Sequence, residues 1–169
     1  TNSNPEGGGA KSLDWLDFGC GNGAFVKYLN LTSPHKAVGF DIGFAANEGM
    51  SNGAKIVQFK ELEVQSFDCI TAIEVLEHVE NPQKVVEQIF NLLKPGGLFF
   101  YTTGNSEPFA RNFLEWRYTD ATDVHIGFFE PKTLNELFAK VGFDLLPNTN
   151  YAGWSSIYRY KITQQSRYK

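Results

Sequence analysis

The chain is predicted to fold as an α/β domain with a doubly wound, mostly parallel sheet. Three observations predict it. The apolar run Trp15-Leu16-Asp17-Phe18 leads straight into Gly19, Gly21 and Gly23, and the helical spacing of Ala24, Phe25, Val26 and Leu29 opens behind them. A strand, a glycine loop and a helix N-terminus in that order mark the ligand end of such a sheet, because backbone without Cβ can lie against a bound group. Strand-like and helix-like segments then alternate along the rest of the chain. Two of the helical segments also start at a proline and stop at a glycine.

Element by element, residues 1–11 form a polar, glycine-rich tail, and 12–169 form the domain. Strands are expected near 13–19, 37–42, 55–59, 67–73, 97–103, 144–150 and 155–162, with helices near 22–31, 44–50, 82–94 and 131–141. In the third helix Pro82 suits the first turn, while Val85, Val86, Ile89, Phe90 and Leu93 make one apolar face before Gly96. The fourth repeats the pattern with Pro131, then Leu134, Leu137, Phe138 and Val141, then Gly142.

The glycine spacing narrows the ligand. A dinucleotide fingerprint places its third glycine three residues after the second, and here it comes two after. The loop has no Gly-Lys-Ser/Thr, which excludes a P-loop. Asp17 stands two residues before Gly19. This segment resembles motif I of the class I S-adenosylmethionine (SAM) dependent methyltransferases. Three later segments strengthen the resemblance: Ala37-Val38-Gly39-Phe40-Asp41-Ile42, whose acid falls 18 residues after Gly23; the strand from Phe67 running into Glu74-Val75-Leu76-Glu77-His78, similar to the E-x-L-E-H of many small-molecule methyltransferases; and Leu93-Lys94-Pro95-Gly96-Gly97 before a further strand.

The resemblance implies a Rossmann-like sheet of seven strands, one of them antiparallel, and a methyl donor, SAM, converted to S-adenosylhomocysteine. It implies a cofactor surface at Asp17, Gly19, Cys20, Gly21, Asp41, Ile42, Ile73 and Glu74. Asp41 is the candidate ribose ligand, with a helix-cap role as the alternative. Asp17 either caps local amides or orders the loop near the methionine end. Glu74 either faces the cofactor or anchors its turn. Gly23 serves close helix packing. An acidic contact to adenine has two candidates, Glu61 and Glu63, and the sequence does not choose between them. Cys20 and Cys69 read as small buried residues. His78 reads as part of the turn.

The segment Glu115 to Phe129 follows the fifth expected strand, at the sheet edge where substrates of this architecture bind. His125 is the candidate general base or substrate ligand, since imidazole can take a proton from a hydroxyl near neutral pH; fastening the loop is its alternative role. Trp116, Arg117 and Tyr118 are candidate substrate walls. No metal is required by methyl transfer, and His35, His78 and His125 show no ligand spacing.

Composition bounds the partners. A formal charge of −4 and a pI near 5.4 give no reason to expect a polyanion, so nucleic acid is disfavoured. No apolar run approaches the roughly 20 residues a bilayer span requires, and the polar start lacks the apolar stretch of a signal peptide, so a cytoplasmic location is the default. Two cysteines make no disulfide framework. The sequence carries no signal of oligomeric state. The expectation is methyl transfer to a small-molecule or sugar-like acceptor. Its rivals are a nicotinamide oxidoreductase, a non-catalytic SAM-binding module, and a domain of a larger methyltransferase, the last prompted by the absence of covering helices ahead of the first strand.

Overall fold

The computed structural model describes residues 11–107, 124–146 and 157–164, the last as backbone. β1 (Asp14–Phe18) leads through the glycine loop into α1 (Ala24–Thr32), followed by β2 (Lys36–Phe40) and α2 (Phe44–Ser51). A 3-10 turn at Phe59–Glu61 precedes β3 (Phe67–Ile73), and a second at Leu76–His78 precedes α3 (Pro82–Leu92). β4 (Leu93–Gly104), α4 (Pro131–Val141), β5 (Phe143–Leu145) and β6 (Ile157–Gln164) complete the described elements. The strand order is β2-β1-β3-β4-β6-β5. Neighbours among β2, β1, β3 and β4 are parallel; β6 runs antiparallel to β4 and to β5.

Period-two alternation divides each strand between two layers. Leu16, Phe18, Ile70, Ala72, Phe99 and Tyr101 face α3 and α4, where Val86, Ile89, Phe90, Leu134 and Phe138 meet them. Phe138 stacks 4.7 Å from Tyr101 and meets Phe99 at 5.8 Å, so part of the aromatic excess is core filling. On the opposite face, Val26 and Leu29 of α1 pack on Ala37, with Trp15 and Cys20 beside them. The helix signals act as expected. Asn81 caps α3 by accepting the Lys84 amide at 2.9 Å, and Gly142 (φ 114°) ends α4 in the left-handed region.

Several boundaries differ from the sequence expectation. Six strands stand among the described residues where seven were expected. The segment expected as a strand at 55–59 makes one parallel bridge, Ile56 to Gly39. It turns away because Gln58 and Glu61 close a capping box, the Gln58 amide donating to Glu61 Oε2 at 2.7 Å. The helix expected to 94 stops at Leu92, because Leu93 already pairs with Phe67. Between that pair and the next, Cys69 with Leu98, the register shifts as β4 loops out through Pro95-Gly96-Gly97. Lys94 bonds Asp14 (2.8 Å) and Asp68 (2.9 Å), pinning this stretch to β1 and β3. The strand expected at 144–150 is Phe143–Leu145, and 147–150 lie outside the described residues. Among the described residues no helix is long and apolar enough to cross a membrane.

Candidate cofactor and acceptor site

The glycine loop is tied to the end of β2. The amides of Gly19 and Cys20 both donate to Phe40 O, at 2.7 and 3.1 Å. Gly19 has φ 79°, and a Cβ there would stand 2.5 Å from Val75 Cγ2, so conformation and space both require glycine. Gly21 (φ 54°) is different: nothing lies within 4 Å of where its Cβ would be, which leaves bare peptide open to a ligand. Cys20 turns its sulfur inward, since a Cβ on Gly39 would meet it at 2.5 Å. Only its backbone is left for a cofactor. Burial, with Asp17 and Asp41 nearby, pushes its thiol up to about 12, so it is no nucleophile at neutral pH.

Asp41 bridges two loops. Its Oδ2 accepts the Gly21 amide at 2.8 Å and its Oδ1 accepts the Gly43 amide at 2.6 Å, the latter just ahead of α2. The cap-like role leaves room for a ligand, because a carboxylate has about four acceptor sites and two are used. Cavities of about 480 and 490 Å³ adjoin here, sharing Phe40, Asp41, Ile42, Gly43 and Phe59. Ile42 is 94% exposed on their rim. Glu61 lines the second cavity and Glu63 lines neither, which separates the two candidates the sequence left level.

Asp17 is buried below the loop and accepts a hydrogen bond from Thr71 Oγ1 at 2.7 Å. Burial holds its carboxyl above the usual range; Thr71 opposes that and the charge of Asp41 adds to it. At the end of β3, Ile73 is half-exposed. Glu74 takes φ 53° without being glycine. Its amide donates to Thr102 O at 3.0 Å and its Oε1 accepts the Thr102 hydroxyl at 2.6 Å, so Glu74 does anchor the turn. It also lines the first cavity.

The turn delivers a cluster that the sequence did not assemble. Glu77 is 1% exposed, and its Oε2 accepts the Thr103 hydroxyl at 2.9 Å. Its carbonyl accepts the amides of Ile126 (2.8 Å) and Gly127 (2.9 Å), which carries His125 to the turn. His78 Nδ1 stands 2.7 Å from Val124 O, and since a carbonyl only accepts, that nitrogen bears the proton. The two imidazole rings lie 4.8 Å apart. The ligating atoms of Glu77, His78 and His125 all fall within 4.8 Å of one another, a composition able to hold a divalent cation. Two of the three histidines thus have the proximity that their sequence spacing lacked. Burial, then repulsion from Glu74, pushes the Glu77 carboxyl up to about 7, with Thr103 opposing. Glu77 was the residue missed; the signal available was a second acid three places after Glu74. Trp116, Arg117 and Tyr118 lie outside the described residues.

A mostly parallel sheet with a glycine loop and an acid just after β2 is the architecture of a nucleoside-binding α/β domain, and comparison with known proteins narrows it to the methyltransferases. The family model for a methyltransferase domain matches residues 4–148, and the chain belongs to that family. A ubiquinone biosynthesis O-methyltransferase of Nitrosococcus oceani is 36% identical over 110 residues, 58% of this chain and 46% of that protein. The chain spans about half the length of the relatives of that name which it matches. Among solved structures, a SAM-dependent methyltransferase of Mesorhizobium loti superposes with TM-score 0.72 at 16% identity, covering 90% of this chain and 91% of that one. The [4+2]-cyclase SpnF superposes with TM-score 0.68 at 16% identity, covering 91% and 75%, so the fold by itself does not name a reaction. The cofactor of the domain is SAM, and the residues present fit it. Gly21 offers open peptide, Asp41 has free acceptor sites, and Asp17 is a buried acid below the loop, a donor set suited to a ligand with a diol and a positive charge.

Proposed function

We propose that the domain methylates a hydroxyl of a small molecule, with the acceptor presented between the cofactor trough and His125. The observation that supports this reading most directly is the meeting, at one sheet edge, of the Asp41 trough with the Glu77–His78–His125 cluster; His78 belongs to both. The relatives named O-methyltransferases favour oxygen as the acceptor. When bound, SAM supplies an electrophilic methyl group. Asp41 would hold the ribose, Ile42 and the Glu61 side of the trough would border the adenine, and the backbone of Gly19 to Gly21 and of Ile73 would carry the methionine portion. His125 would take the proton of the acceptor hydroxyl. Trp116, Arg117 and Tyr118 are read as acceptor walls, and the net charge of −4 argues for a small molecule over nucleic acid. Lys55–Val57, bridged to β2, is read as standing where a seventh strand would lie.

The experiment is calorimetric titration with SAM and S-adenosylhomocysteine, with NADH as control, followed by release of S-adenosylhomocysteine against a panel of phenolic and sugar hydroxyls. Acceptor-dependent release is expected. Binding without release from any acceptor would leave a non-catalytic SAM-binding module. A second reading has its own observation: Glu77, His78 and His125 could hold a divalent cation that orients the hydroxyl in place of a free base. Stoichiometric Zn²⁺ or Mg²⁺ binding that His125→Ala removes would favour it, and full turnover in chelator would reject it.

A further inference from the structure

We propose that Thr71 and Trp15 are positioning residues for Asp17: a one-way hydrogen-bond chain, Trp15 to Thr71 to Asp17, aims a proton at a buried carboxylate beneath the glycine loop and favours its charged form, ready for the cationic end of SAM. This rests on SAM being the ligand.

The chain follows from register. β1 and β3 pair in parallel with Trp15 opposite Cys69 and Asp17 opposite Thr71, so Trp15, Asp17 and Thr71 emerge on the same face of adjacent strands. Its direction is fixed by chemistry. An indole N–H can only donate, and Trp15 Nε1 lies 3.2 Å from Thr71 Oγ1. The Thr71 hydroxyl therefore accepts from Trp15 and has one proton to give. Two acceptors are in reach, Asp17 Oδ1 at 2.7 Å and Leu16 O at 3.4 Å. The shorter contact, to a charged oxygen, is the stronger. Phe25, edge-on to the indole at 6.0 Å, and His35, tilted at 5.8 Å, hold the Trp15 ring in place.

Asp17 needs this support. It is 5% exposed, and no ion pair joins it among the described residues. The groups that face it are Asp41 from the end of β2, which repels its charge, and the Cys20 thiol from the loop, which stays neutral. Thr71 on β3 is the group that favours the ionised form. A buried acid without a protein cation is suited to a ligand that brings one, and SAM brings a sulfonium and an ammonium. Binding then stabilises the ionised acid. By linkage, uptake of SAM where part of this acid is still protonated releases a proton, and affinity rises with pH as Asp17, held above the ordinary carboxyl range, ionises.

The test is SAM titration from pH 5 to 7.5, in buffers of different ionisation enthalpy, for the wild type, Thr71→Val, Thr71→Ser and Trp15→Phe. The wild type should release a proton at the acid end. Thr71→Val should displace the affinity profile to higher pH, weakening SAM roughly tenfold in the acid range and converging with the wild type towards pH 7.5. Thr71→Ser should restore the profile. Trp15→Phe, which frees the Thr71 proton to turn to Leu16 O, should shift it the same way by less. Loss of affinity by the same factor at every pH would show a merely structural role and overturn the proposal, as would wild-type binding without proton release. That last measurement decides the matter even where Thr71→Val fails to fold. A wild type that prefers NADH, or binds neither, would overturn the SAM reading itself.

Discussion

Gly19→Ala tests how the glycine loop and the E-x-L-E-H turn depend on each other. Two costs are separable. Gly19 has φ 79°, and an L-residue held in the left-handed region costs about 1–2 kcal/mol. The new methyl would also stand 2.5 Å from Val75 Cγ2, closer than carbon atoms pack, and overpacking of that kind costs about 1–3 kcal/mol. Gly19→Ala should therefore destabilise the domain by about 2–5 kcal/mol. Val75→Ala alone removes two methyl groups that pack on the edge of the core, about 1–2 kcal/mol. In the double variant the clash partner is gone while the backbone strain stays. The sum of the single effects should exceed the double by the clash, about 1–3 kcal/mol, outside the roughly 0.5 kcal/mol within which independent sites add. Urea unfolding of the four proteins measures the cycle. Additivity would refute the contact between loop and turn, and an unperturbed Gly19→Ala would refute the strain argument too.

Asp41→Ala should weaken SAM binding by about 1–3 kcal/mol, measured by calorimetry, because it removes the carboxylate proposed to bond the ribose and releases the Gly21 and Gly43 amides. His125→Ala should leave SAM affinity unchanged and lower turnover; a variant that no longer folds would instead make His125 a fastening. Glu77 should make stability pH-dependent. Its folded value near 7 lies above the ordinary 4.5, so the native state keeps a proton that the unfolded chain releases, and stability falls as pH rises through that window. Glu77→Gln, compared with the wild type in chelator by urea unfolding at pH 5 and 8, should remove about 1–3 kcal/mol of that dependence. Cys20 should react with a disulfide reagent far more slowly at pH 7.5 than in the unfolded chain, its thiol being pushed up to about 12.

The parts of the fold legible in sequence are those set by local chemistry. Pro82 and Gly142 mark helix ends because ring closure and a missing Cβ act on their own residue whatever surrounds it. The strand expected at 55–59 failed for the complementary reason. Its β-branched Ile56 and Val57 suit a strand, but the Gln58–Glu61 box offers the same backbone a closed turn and cuts pairing with β2 to a single bridge. Register is tertiary in the same way: nothing local in Leu93 to Gly97 tells that Leu93 already belongs to the sheet.

The site divides along the same line, and the division explains its chemistry. The conformations of Gly19 and Gly21 and the place of Asp41 just after β2 were readable because they belong to their own backbone and strand ends. Glu77 with His125, and Trp15 with Thr71, were not, since each pair needs two segments 48 or 56 residues apart to meet. In both cases the sheet supplies the meeting. Parallel pairing of β1 with β3 sets Thr71 beside Asp17, and pairing of β3 with β4 brings Thr102 and Thr103 under Glu74 and Glu77. Each threonine donates to a carboxylate from the neighbouring strand or its turn. A threonine suits a strand through its β-branch, and Thr71 and Thr103 each offer a proton to an acid, Asp17 or Glu77, that burial pushes towards its neutral form. The residues that tune the acids of this site are thus drawn from positions whose strand propensity already accounts for them, which hides them from a motif search.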